Sequence, residues 1–131
     1  MTLKKILVVD DNLMNRRLIT DILRCFGYEL MAAENGEDGL KMAREQQPDL
    51  ILLDLQMPVQ DGFATLQLLR KDPETKSIKV IAVTSYAMAG DKGKILAAGF
   101  DEYISKPLNT RDLPVIVKKM LGGPHCSSND E

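Results

Sequence analysis

The stretch Leu50 to Gly62, LILLDLQMPVQDG, constrains this chain more than any other. Its first four residues are large aliphatics in unbroken succession, without the polar alternation of a half-solvated strand. Such a run reads as a strand buried on both faces of a parallel sheet, which requires helices on both sides of that sheet. It ends on a carboxylate, Asp54, after which Pro58, Asp61 and Gly62 mark a loop that neither strand nor helix continues. In open α/β sheets ligands bind beyond the carboxyl ends of the strands, so Asp54 stands where chemistry is expected. Taken alone, an acid there is better explained as a strand terminator capping the next turn. The residues that join it from elsewhere in the chain reverse that choice.

The same pattern recurs along the sequence. Leu3 to Val9 reads as a strand whose ILVV run ends at Asp10 and Asp11. Asn12 is a good N-cap for a helix in which Leu18, Ile19, Ile22, Leu23 and Phe26 recur at helical spacing until Gly27 stops it. Tyr28 to Ala33 is a shorter strand. Asn35 and Gly36 turn the chain into a helix from about Glu37 to Gln47, with Leu40 and Ala43 inward and Pro48 ending it. After the Gly62 loop, Phe63 to Lys71 is helical with Phe63, Leu66 and Leu69 on one side, and Asp72-Pro73 breaks it. Val80 to Val83 is another continuous apolar strand, ending at Thr84 and Ser85.

A helix over Ala87 to Ala98 is weaker, because Gly90 and Gly93 each cost roughly 1 kcal/mol relative to Ala, and it is expected to be mobile or shifted. Gly99 ends it, Glu102 to Ile104 forms a short strand, and Lys106-Pro107 follows. Asn109 or Thr110 caps a last helix that tolerates Pro114 in its first turn and directs Val117, Met120 and Leu121 inward. Five strand-helix units in alternation define an α/β fold: a doubly wound, five-stranded parallel sheet with right-handed crossovers.

At 131 residues and 44% hydrophobic content the chain suits one domain, expected over residues 1–121. Residues 122–131, GGPHCSSNDE, read as a disordered tail, with no output domain expected after them. With 17 basic against 19 acidic residues the charge is nearly balanced, which argues against direct nucleic-acid binding. The amino-terminal apolar run is too short for a signal peptide and no stretch approaches a membrane span, so a cytoplasmic location without membrane insertion is expected. Cys25 and Cys126 have no metal-site or redox spacing and read as ordinary thiols; His125 lies in the tail, away from any acid cluster. Gly90, Gly93 and Gly99 lack the strand and lysine that a phosphate-binding loop needs.

Setting the strands parallel gathers Asp10, Asp11, Asp54, Thr84 and Lys106 at one rim. Three carboxylates that close repel strongly unless a cation neutralises them. Oxygen donors with no His or Cys in reach favour Mg²⁺. Acid, metal, ammonium and hydroxyl together are what a phosphoryl group needs around its oxygens during in-line transfer. Asp54, on the central strand, is then the candidate nucleophile, since a carboxylate can form an acyl phosphate. An aspartyl phosphate would add charge and acceptor oxygens that a nearby hydroxyl and ammonium contact only in the modified state. Movement of Thr84 would vacate space that Tyr103 could fill.

These motifs, DD at Asp10 and Asp11, Asp54 with MPVQDG behind it, Thr84 ending VIAVT, and SKP at Ser105 to Pro107, resemble the receiver domains of two-component response regulators. The match runs from about Lys4 to Leu121 with every motif in order, and the TSYAMAGD and YISKP stretches are most similar to stand-alone regulators of the DivK type. The resemblance implies a flavodoxin-like three-layer sandwich with strand order 2-1-3-4-5. It implies Asp54 as phosphoacceptor, with a histidine kinase or histidine phosphotransfer protein as donor. Asp11 is implied as direct Mg²⁺ ligand, Asp10 as its water-mediated helper and the Gln56 backbone carbonyl as a further ligand. Lys106 is implied to pair with the phosphoryl oxygens, its bond to Pro107 cis. Thr84 and Tyr103 become the switch pair, and Gln56 and Tyr86 stand at positions that tune dephosphorylation. A downstream protein effector is expected to read helix 4, strand 5 and helix 5.

Two other readings use the same rim. A phosphatase of the haloacid-dehalogenase type also has a strand-end Asp and Mg²⁺, but needs a second acid two residues on, where this chain has Gln56. A phosphorylation-independent docking module would need no modification at all.

Overall fold

In a computed structural model, whose described residues are 4–55, 62–84, 89–105 and 112–121, strand and helix alternate throughout. Strands β1 (Lys5–Val9), β2 (Glu29–Ala33), β3 (Leu50–Asp54), β4 (Lys79–Thr84) and β5 (Glu102–Ser105) are followed in turn by five helices. These are α1 (Leu13–Cys25), α2 (Gly36–Gln46), α3 (Gly62–Lys71), α4 (Ala89–Ala98) and α5 (Asp112–Leu121). Every pairing is parallel and the sheet order is β2-β1-β3-β4-β5. The chain leaves β1 to one side and returns to its other side, so the crevice between the ends of β1 and β3 is the topological switch point.

The local starts and stops follow side-chain chemistry. Asn12 Oδ1 accepts from the Asn15 amide at 3.0 Å and Asn35 Oδ1 accepts from the Asp38 amide at 2.8 Å, satisfying first-turn donors of α1 and α2. Gly27, at φ +90°, supplies the left-handed step after α1, and its amide donates to the Arg24 carbonyl at 3.0 Å. Gln47 takes the same step after α2 at φ 50°, with Pro48 following. Pro114 is the third residue of α5, where backbone amides have no intrahelical partner to lose.

Because successive strand residues point to opposite faces, the continuous apolar strands fill two core layers at once. One layer joins Leu7, Val9, Ile51, Leu53, Val80 and Ala82 to α2, α3 and α4 through Ala43, Leu66, Leu69 and Ile95. The other joins Ile6, Val8, Leu50, Leu52, Ile81 and Val83 to α1 and α5 through Ile19, Leu23, Leu113 and Val117. Leu40, Met120 and Leu121 pack against these layers from their margins.

Three apolar residues expected inward stay substantially exposed. Leu18 is 39% exposed because α1 meets the sheet along the Ile19 and Leu23 row and Leu18 falls a third of a turn off it; Phe26, 50% exposed, lies at the C-cap beyond the packed turns. Phe63 sits at the start of α3 and is 37% exposed, meeting Phe100 edge-on at 5.7 Å between ring centroids instead of entering the core. The third and fourth strands and the last also run one residue further than the apolar pattern implies, so Asp54, Thr84 and Ser105 belong to the sheet itself. The residues expected to cap the last helix, Asn109 and Thr110, and the tail lie outside the described residues.

Candidate functional site

Sheet register brings the polar residues together. Val9 pairs with Leu53, so Asp10 and Asp54, each one residue further on, end neighbouring strands side by side. Asp54 pairs with Val83, the residue before Thr84, and Thr84 pairs with Ser105. Asp10 and Asp54 are each 1% exposed and Thr84 is fully buried, whereas Asp11 faces solvent. One carboxylate oxygen from each of Asp10, Asp11 and Asp54 lies within 4.8 Å of the others.

Two full negative charges at that 4.8 Å limit repel by about 3.5 kcal/mol at the effective dielectric of a protein site. The donor set is hard oxygen throughout, part buried and part open, and a small dication such as Mg²⁺ fits it: it can bind two or three carboxylates and keep its waters on the exposed side.

The backbone around the acids is tightly specified. The Asp10 amide donates to the Ala33 carbonyl at 3.1 Å, Asp10 Oδ1 accepts from the Asn12 amide at 2.9 Å, and the Asp10 carbonyl accepts from Arg16 Nη1 at 2.8 Å. Beyond β3 the Leu55 amide donates to the Val83 carbonyl at 3.0 Å, and the Gly62 amide to the Leu55 carbonyl at 3.3 Å. A Cβ on Gly62 would lie 2.7 Å from the Asp54 carbonyl oxygen and 2.8 Å from Leu55 Cα, so α3 can start against the backbone of Asp54 only because this residue has no side chain.

Tyr103 pairs with Ala82, two residues before the Thr84–Ser105 pair, and packs half-buried against the layer of α2, α3 and α4. Gln56, Tyr86, Lys106 and Pro107 lie outside the described residues. Sequence patterning gave no notice of Arg16 or of the close approach at Gly62. An arginine in a helix reads as a solvated residue, and a glycine beside a turn signal reads as a loop residue, until the third dimension supplies their neighbours.

The sequence matches the model of the response regulator receiver domain over residues 6–118. It is similar to the polar-differentiation response regulator DivK of Brucella anthropi, 40% identical over 119 residues that span 91% of this chain and 97% of that protein. Among solved structures it is similar to the chemotaxis protein CheY4 of Vibrio cholerae, with a TM-score of 0.86, 28% identity, and 92% of this chain and 100% of that one covered. It is also similar to the receiver domain of the sensor histidine kinase PA1611 of Pseudomonas aeruginosa, with a TM-score of 0.84, 31% identity, and 92% and 99% covered; that structure holds a magnesium ion coordinated in its active-site cleft. On sequence and architecture together, this chain belongs to the response regulator receiver domain family of two-component signalling.

Proposed function

We propose that residues 1–121 act as a phosphorylation-dependent switch: Asp54 accepts a phosphoryl group from a histidine kinase or histidine phosphotransfer protein, and the modified state is read by a protein effector. The observation that carries this reading is the grouping of Asp10, Asp11 and Asp54 at the switch point of the sheet, with Thr84 on the adjoining strand. Receiver domains as a family are phosphoryl-accepting signalling domains rather than conventional enzymes.

In this reading an Asp54 carboxylate oxygen attacks the phosphorus of a phosphoimidazole. A P–O bond forms, the P–N bond breaks, and its electron pair leaves with the imidazole nitrogen, which takes up a proton. Asp10, Asp11 and Asp54, with the Gln56 carbonyl, would hold Mg²⁺, which when bound supplies positive charge against the phosphoryl oxygens. Lys106 would neutralise a further oxygen. The Thr84 hydroxyl would donate to another, and Tyr103, half-buried two residues before the strand end, would follow it inward. Gln56 and Tyr86 would set access for the water that reverses the modification. The output face would be α4, β5 and α5; unchanged amide resonances from Ser85 to Leu121 on phosphorylation would sink that part of the reading.

The test is incubation with Mg²⁺ and acetyl phosphate. One labile phosphoryl group per chain on Asp54, absent in Asp54→Asn, is the expected result. Fast release of phosphate with no phosphoryl group accumulating on the chain would favour a phosphatase, and a chain that is neither modified nor releases phosphate a docking module.

A further inference from the structure

The turn between β1 and α1 carries two of the three clustered acids, and one of the groups holding it is a side chain six residues downstream of Asp10. The Asp10 amide is tied to β2 through Ala33, and its Oδ1 to its own turn through the Asn12 amide. Its carbonyl is tied to α1 through the guanidinium of Arg16 at 2.8 Å. That carbonyl belongs to the planar peptide joining Asp10 to Asp11, so whatever fixes its direction also fixes the Asp11 amide and the point from which the Asp11 Cα leaves. Asp10 and Asp54 are held by burial, while Asp11 is exposed and, among the described residues, no side chain is seen to hold its carboxylate.

We propose that Arg16 is a positioning residue: by locking the Asp10–Asp11 peptide it aims the Asp11 carboxylate at the two buried acids and so completes the cation site. This rests on the cation-dependent reading given above. Loss of Arg16 has two effects of opposite sign on a bound dication. Freeing the peptide weakens the site, whereas deleting a positive charge near the acids strengthens its pull on a cation. Arg17, the exposed next residue, gives a matched control, since Arg17→Ala deletes the same charge without touching the turn.

The experiment is an amide-shift titration of the full chain with Mg²⁺, alongside acetyl phosphate labelling rates as a function of Mg²⁺. Arg16→Met, which keeps the apolar stem and loses the donors, is expected to weaken Mg²⁺ about tenfold, the scale of losing a partner that orients a metal ligand. Arg16→Lys should fall between it and wild type, and Arg17→Ala should bind as wild type or slightly tighter. The labelling rate at saturating Mg²⁺ should return to about the wild-type value in Arg16→Met, because the defect lies in the cation's affinity and not in Asp54. Equal Mg²⁺ affinity in Arg16→Met and Arg17→Ala, or a labelling deficit that saturating Mg²⁺ does not repair, would overturn the proposal while leaving Asp54 as acceptor. Should the Met variant fail to fold, undiminished affinity in Arg16→Lys would overturn it. A wild type without saturable Mg²⁺ binding would remove this inference and the reading beneath it together.

Discussion

Replacement of Asp54 by asparagine should make the cation-free protein more stable. The three clustered carboxylate oxygens lie within 4.8 Å of one another, and two of the three residues are buried, so even at that outer separation a fully charged pair opposes folding by about 3.5 kcal/mol before hydration is counted. Deleting the Asp54 charge removes two of the three pairwise repulsions with almost no change of volume. Against that gain stand the favourable interactions that the Asp54 carboxylate makes with its other neighbours, the weaker hydrogen bonds that an amide oxygen accepts, worth roughly 1 kcal/mol, and the hydration that already softens the repulsion at exposed Asp11. The expected net gain is about 1–3 kcal/mol, or about 3–5 °C in midpoint per kcal/mol at this chain length. Mg²⁺ should narrow that gap. At a concentration a hundred times its dissociation constant it stabilises the wild type by about 2.7 kcal/mol, and the variant, short of one ligand, by less. Urea denaturation followed by circular dichroism, in EDTA and in saturating Mg²⁺, measures both. A variant less stable than wild type in EDTA, with the same gain from Mg²⁺, would refute the electrostatic argument.

Other perturbations test other parts of the structure. Gly62→Ala should cost about 1–3 kcal/mol, because the new methyl meets main-chain atoms at 2.7 and 2.8 Å that cannot swing aside. Gly93→Ala, with nothing within 4 Å, should instead stabilise α4 by up to roughly 1 kcal/mol; equal effects in the two denaturation curves would contradict the packing at Gly62. Arg70→Ala should destabilise by about 2–4 kcal/mol, since this guanidinium donates to the Lys76, Ile78 and Gly99 carbonyls and to the Asp101 carboxylate; a loss under 1 kcal/mol would contradict that clamp. Asp72 is held below the ordinary carboxylate range, first by the Glu74 amide and then by the Arg44 guanidinium at 2.8 Å. A carboxyl whose folded pKa is depressed stabilises above its unfolded value and loses that contribution as pH falls through the folded one. The stability gap between wild type and Asp72→Asn should therefore be full near neutrality and shrink below about pH 4; a gap independent of pH would contradict the assignment.

Much of this is legible in the amino-acid sequence, for identifiable reasons. The strands were visible because sheets covered on both faces leave no polar residues in them, and the two-layer core built on Leu50 to Leu53 is the direct consequence. The helix boundaries at Asn12 and Gly27 were visible because caps use local chemistry, whereas Asn35, read as part of a turn, caps a helix that starts one residue earlier than expected. The clustering of Asp10, Asp11 and Asp54 was visible because parallel strands share a carboxyl edge. What escaped depends on distance in sequence. Arg70 gathers groups up to 31 residues away, and no local pattern distinguishes it from a solvated arginine. Leu18 and Phe26 were misread because helical periodicity gives a wider apolar stripe than the contact α1 makes with the sheet.

If the ends of β1 and β3 build one cation-holding pocket around Asp54, a crystal structure grown in Mg²⁺ will show it. The account predicts one six-coordinate ion with oxygen bonds of about 2.0–2.1 Å, ligated within the Asp10, Asp11 and Asp54 cluster. An ion absent from that rim but present on another acidic surface, such as the cleft of Glu34, Asp38 and Glu45 beside α2, would contradict it.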